Sequence, residues 1–132
     1  MLFEKLFVYH TYYLIIKKDH FTLRLLETKA EYRKEAEEPL STKSLLVGHM
    51  HYAKRVLKEC VDLLSQGFSF TKPLIVIHPT WTLKNKISPV EIKLYEELAK
   101  AIKARKVLIH TGKELSFKEL EYLVEKEDGI DI

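Results

Sequence analysis

The 132-residue chain reads as a single α/β domain, residues 1–132, built on a mixed five-stranded sheet with helices on both faces. Three observations predict it. The first third alternates apolar and polar residues with period two, from Tyr52 the apolar period becomes helical, and two short continuous apolar runs follow, each after a helical pattern. Composition agrees: 46% hydrophobic and 31% charged residues, with seven Tyr, six Phe and one Trp, supply a core and exclude wholesale disorder.

Tyr12 to Ile16, preceded by Phe7-Val8-Tyr9, is β-branched or aromatic and holds no helix breaker. Lys17-Lys18-Asp19-His20 is a polar break of hairpin length. Phe21 to Leu26 alternates, Glu27-Thr28-Lys29 turns, and Ala30 to Ala36 alternates again before Glu37-Glu38-Pro39. Two consecutive hairpins make an antiparallel meander.

From Tyr52, the residues Ala53, Val56, Leu57, Cys60, Leu63 and Leu64 form one apolar helical stripe, with Lys54, Arg55, Lys58, Glu59 and Asp62 opposite. Gln66-Gly67 stops this helix. Cys60 reads as a core residue rather than a nucleophile. Leu74 to Ile77 is apolar without alternation, as suits a central parallel strand covered on both faces, and it ends at His78-Pro79. Ser88-Pro89-Val90-Glu91 carries an N-cap, a proline at the first helical position and the returning acid of a capping box. Ile92, Tyr95, Leu98, Ala99 and Ile102 form the buried stripe of that helix. Val107-Leu108-Ile109 is a second short buried strand closed by His110-Thr111-Gly112. Ser116-Phe117-Lys118-Glu119 is a second capping box, opening a helix with Phe117, Leu120 and Val124 inward until Asp128-Gly129. The order β-β-β-α-β-α-β-α with two crossovers folds most economically with strand order 3-2-1-4-5, which is the ribonuclease H-like arrangement.

Several function classes are excluded or disfavoured at this level. The apolar runs are far shorter than the roughly 20 residues of a membrane helix, so no span is expected. The start of the chain lacks the pattern of a secretory leader. A single cysteine excludes a disulfide framework and a multi-cysteine zinc site, and it agrees with a reducing compartment, so the expected location is the cytoplasm. The net charge of +3 conceals a basic middle (residues 41–113, +8) and an acidic end (residues 114–132, −5). The lysines of the middle are scattered along helices rather than interleaved with exposed aromatics, which argues against a nucleic-acid partner.

Tyr13 to Leu25 resembles the first hairpin of bacterial actin-like (MreB-like) rod shape-determining proteins, and Lys72 to Thr80 resembles their fourth strand and the loop leaving it. Ile87-Ser88-Pro89-Val90-Glu91, the helix to Ala101, and Ala104-Arg105-Lys106-Val107 are similar to the following helix and the G-A-R-K/E-V entry to the fifth strand, with Lys103 where that family usually has glycine. The likeness is closest to small stand-alone rod shape-determining proteins and covers most of residues 12–115. It implies an actin-like ATPase subdomain. In such ATPases the first hairpin is an acid-glycine-hydroxyl turn whose amides approach phosphate closely, and here the turn is Lys17-Lys18-Asp19-His20, without Gly, Ser or Thr. The second half that closes a nucleotide cleft is also missing from these 132 residues. No nucleotide cofactor and no catalysis are therefore expected.

Two constellations could still carry chemistry. Gly48-His49-Met50-His51 holds two imidazoles that converge only in an extended segment, and zinc would need another ligand. His49 and His51 are thus weak metal candidates against a helix-entry role. His78 and His110 each end a parallel strand, and ligands of such sheets bind beyond the carboxyl ends of the strands. Asp19, His78, Pro79, Thr80, Trp81, His110 and Thr111 form that candidate rim. The plainer alternative is that the histidines cap strand backbones while Trp81 covers the sheet edge.

The expected function is a noncatalytic protein-interaction scaffold in cell-shape or envelope assembly, acting on protein partners or on itself through Trp81 with the Thr82–Ile87 loop, or through the edge strand Ala30–Ala36. The alternative is a ribonuclease H-like, metal-dependent enzyme on nucleic acid. That chemistry needs carboxylates on the first and fourth strands, and neither Tyr12–Ile16 nor Leu74–Ile77 has one.

Overall fold

The computed structural model describes residues 10–17, 20–35, 50–65, 72–80, 87–126 and 130–131. Phe7 to Tyr9, Ala36 and the Gln66-Gly67 stop lie outside them. The elements are β1 (Thr11–Ile16), β2 (His20–Leu25), β3 (Ala30–Glu35), α1 (Met50–Ser65), β4 (Leu74–Pro79), α2 (Pro89–Ala101), β5 (Lys106–Ile109), α3 (Phe117–Lys126) and β6 (Ile130–Asp131). The sheet order is β3-β2-β1-β4-β5-β6. The mixed five-stranded sheet of order 3-2-1-4-5 is thus present, and one two-residue strand, β6, is added antiparallel to β5. β1 runs antiparallel to β2 and parallel to β4, and β4 runs parallel to β5. β2 and β3 are antiparallel, so β2 alone opposes the other four of that set.

The burial of each strand follows its place in this order. β1 and β4 are central, and all six residues of each are buried. β2 is buried at alternate positions along most of its length, and the edge strand β3 alternates half-buried and exposed. One face carries Tyr12, Leu14, Ile16, Phe21, Leu23, Leu25, Ile75, Ile77 and Val107 against α1 and α2. The other face carries Tyr13, Ile15, Leu74 and Val76 against Leu120 of α3, with Leu123 and Val124 beside it. Helices therefore lie on both faces, because β1 and β4 present apolar side chains in both directions.

Both capping boxes form. Ser88 Oγ accepts the Glu91 N–H at 3.2 Å while the Glu91 carboxylate accepts the Ser88 N–H, and Ser116 and Glu119 repeat the exchange ahead of α3. α2 closes with a Schellman arrangement: Lys103 N–H donates to Lys100 O and Ala104 N–H to Ala99 O, both at 3.0 Å. This requires a left-handed residue at position 103, and Lys103 has φ +58°. That is the position where the resembled family carries glycine, the residue that adopts this conformation without cost.

α1 departs from expectation at both ends. It begins at Met50, so His51 lies exposed in its first turn rather than in an extended segment. Leu63, expected in the apolar stripe, is 55% exposed, and the buried stripe is Tyr52, Ala53, Val56, Leu57 and Cys60, with Leu64 half-buried. Leu63 sits at the flank of the stripe, one turn beyond Glu59, where β3 ends the sheet and offers nothing to cover it among the described residues. No helix among the described residues is long and apolar enough to cross a membrane.

Candidate functional site

Because β1, β4 and β5 are parallel, their carboxyl ends share one edge of the sheet. The register sets His78 beside Ile15, and His110 N–H donates to Ile77 O at 2.9 Å, so both histidines stand at that edge on neighbouring strands. Their rings meet edge to face with centroids 4.8 Å apart. Thr80 closes the end of β1: its N–H and its hydroxyl both donate to Ile16 O, at 3.2 and 3.0 Å. Thr111 is half-buried immediately after His110. Of the expected rim, His78, Pro79, Thr80, His110 and Thr111 are therefore brought to one edge. Asp19 and Trp81 lie outside the described residues, as do His49 and most of the Thr82–Ile87 loop.

The geometry of His78 assigns its tautomer. Nε2 is 3.0 Å from Gly112 O, which only accepts, so Nε2 carries the hydrogen. Nδ1 is then an acceptor, and the Tyr13 hydroxyl donates to it at 2.7 Å. The same hydroxyl accepts the Leu115 N–H at 3.0 Å. A continuous chain results, from Leu115 N–H to Tyr13 O–H to His78 Nδ1, and from His78 Nε2–H to Gly112 O. Burial pushes the His78 pKa below the usual imidazole value, and the neighbouring His110 adds to the shift. Burial likewise raises the Tyr13 phenol, against the opposing effect of the Leu115 hydrogen bond. Both groups are held neutral.

His110 donates from Nε2 to Lys113 O at 2.7 Å. Gly112, whose carbonyl accepts from His78, has φ +102°; an added Cβ would meet nothing within 4 Å, so the requirement for glycine there is conformational rather than steric. Arg24 on β2 completes the clamp on this loop. Its guanidinium donates to Glu114 at 2.9 Å and to Leu115 O at 3.4 Å, pairs with Glu31 on β3, and lies about 6 Å from the ring centroids of Tyr13 and Phe117.

Tyr13 and Arg24 are the residues that sequence reasoning passed over, and Gly112 was read only as part of the segment that closes β5. One signal was available for Tyr13: a phenol inside an unbroken apolar strand must find a hydrogen-bond partner. Arg24 gives no such sign, because its partners in the loop lie about 90 positions away.

Among the described residues, several polar atoms of this edge are engaged within the protein. Both ring nitrogens of His78 and the hydroxyl of Thr80 are spent on the protein's own backbone or on Tyr13. Neither β1 nor β4 carries a carboxylate. Among the described residues no group of three His, Cys, Asp or Glu side chains is placed to hold a metal ion. Cys60 is fully buried on the α1 face, and burial pushes its thiol up to about 12.

No family model and no curated protein matches this chain.

Proposed function

We propose that the chain is a noncatalytic protein-interaction scaffold built on a single ribonuclease H-like, actin-type subdomain, and that it serves cell-shape or envelope assembly in the manner of the rod shape-determining proteins its sequence resembles. The observation that carries this reading is the engagement, within the protein, of polar atoms at the described part of the strand-end edge. His78, Thr80 and His110, the described polar residues best placed to meet a ligand there, instead bond loop and strand backbone. The strand order 3-2-1-4-5 with only β2 reversed supports the fold assignment. The Lys17-Lys18-Asp19-His20 turn, without glycine, supports loss of phosphate binding.

Titration of the full chain with ATP and Mg²⁺, followed by calorimetry, tests the proposal. No saturable heat in the micromolar range is expected, and saturable micromolar binding would overturn the scaffold reading. Mg²⁺-dependent cleavage of nucleic acid that is lost in Asp19→Asn would put the metal-dependent enzyme in its place.

A further inference from the structure

β3 is the last strand on its side of the sheet among the described residues. The ladder tells which of its backbone groups face outward. Lys17 N–H donates to His20 O and Leu26 N–H to Thr11 O, so the even residues of β2 bond β1. In an antiparallel ladder the bonding side alternates along the strand, so Phe21, Leu23 and Leu25 turn toward β3, onto Lys34, Tyr32 and Ala30. The N–H and C=O groups of Glu31, Arg33 and Glu35 therefore point away from the sheet. The side chains of these same residues share one face and are about half or more exposed, at 50%, 58% and 63%.

We infer that this edge pairs with a second copy of the chain, antiparallel and two-fold about Tyr32, which joins two sheets into one. The pairing rests on the scaffold reading and supplies its partner. Charge selects the register. Centred on Tyr32, Glu31 of each copy stands opposite Arg33 of the other in a hydrogen-bonded pair, and Glu35 meets the exposed turn residue Lys29. Centred on Glu31 or on Arg33, that residue faces its own copy and like charges oppose. The side chains already have capacity for this: Glu31 gives Oε1 to Arg24, and Arg33 engages Glu35 Oε1 with Nε and one Nη. Tyr32 meets Tyr32 of the second copy on the axis as a non-hydrogen-bonded pair, where side chains approach most closely.

The exposed Leu63 provides independent support. Glu59 of α1 reaches Lys34 of β3 at 3.6 Å, and Leu63 follows on the same side of the helix one turn later. α1 carries the chain from the end of β3 back to the start of the parallel β4, so it runs against β3 and its next turn falls level with Tyr32. A 55% exposed leucine and a half-buried tyrosine thus flank the open edge on the face opposite the charges. Charged side chains on an edge ordinarily discourage pairing, but Glu31, Arg33 and Glu35 alternate in sign, so in the register centred on Tyr32 they meet opposite charges instead of like ones.

Sedimentation equilibrium of the full chain from micromolar to millimolar concentration tests this. A two-chain mass is expected at the upper end. Arg33→Glu and Glu31→Arg, each verified as folded by circular dichroism, should each weaken the dimer by about tenfold or more, since each places two like-charged pairs across the axis. An equimolar mixture of the two variants should dimerise again, because one then presents only acids at positions 31 and 33 and the other only arginines. Should Glu31→Arg fail to fold without its Arg24 pair, Leu63→Lys, at an exposed position, should weaken the dimer in its place. A one-chain mass at every concentration, or a dimer indifferent to Arg33→Glu, would overturn the self-pairing and leave the scaffold reading intact, whereas nucleotide binding would overturn that reading alone.

Discussion

The Tyr13 hydroxyl lies 2.7 Å from Nδ1 of His78, between adjacent parallel strands and across 65 positions of sequence. With the ring planes only 8° apart in orientation, and Leu115 N–H on the other side of the hydroxyl, one phenol joins β1, β4 and the loop before α3. The carboxyl end of β4, on the side of a parallel sheet where ligands generally bind, is thereby tied to β1 and to this loop.

Tyr13→Phe keeps the ring and removes the hydroxyl, which leaves a buried imidazole nitrogen and the Leu115 N–H without their partner. Loss of about 1–3 kcal/mol is expected in urea unfolding, with little change in the slope of the transition. Wild-type stability in this variant would show that the bonds contribute nothing.

The depressed His78 pKa sets a pH dependence. In the unfolded chain the imidazole titrates near its ordinary value of 6.5, while in the folded chain it stays neutral to lower pH. As pH falls below 6.5 the unfolded state takes the proton first, so stability contributed at neutral pH is lost until the folded pKa is passed. Glu27, whose burial raises its pKa, acts with the opposite sign at lower pH, since its native state takes the proton first. The difference in unfolding free energy between wild type and His78→Gln, followed from about pH 7.5 to about 5, isolates the histidine. It should narrow as pH falls; a constant difference would rule the linkage out.

Lys103 holds a left-handed conformation at the end of α2. Lys103→Gly should stabilise the protein by about 0.5–1 kcal/mol, as relief of the side-chain strain exceeds the extra entropy of the unfolded chain. Thermal unfolding measures it, and a lower melting temperature would contradict the Schellman assignment.

Cys60 is fully buried and its thiol is pushed up to about 12. Labelling by a thiol reagent should proceed only at the rate at which the chain opens, and should accelerate in step with urea. Rapid native labelling would contradict its core placement.

Much of the fold is legible because its signals are local. Ser88-Pro89-Val90-Glu91 and Ser116 to Glu119 start helices through bonds that span three residues. The continuous apolar run of Leu74 to Ile77 announces a strand covered on both faces. Leu63 misled because periodicity reports the apolar side of a helix and not where the neighbouring sheet stops. The candidate edge was legible only in part, since strand ends can be placed from topology while their hydrogen-bond partners cannot.

Local pattern alone was enough for the kind and order of the main elements, the central place of the apolar strands and the caps of two helices. All of these follow from interactions within a few residues or from period. The tautomer of His78, the clamp of Arg24 on Leu115 and the outward face of β3 were settled only when the chain folded. The first two depend on contacts between residues 65, 91 and 102 positions apart, which no local pattern encodes, and the third on the register in which β2 and β3 pair.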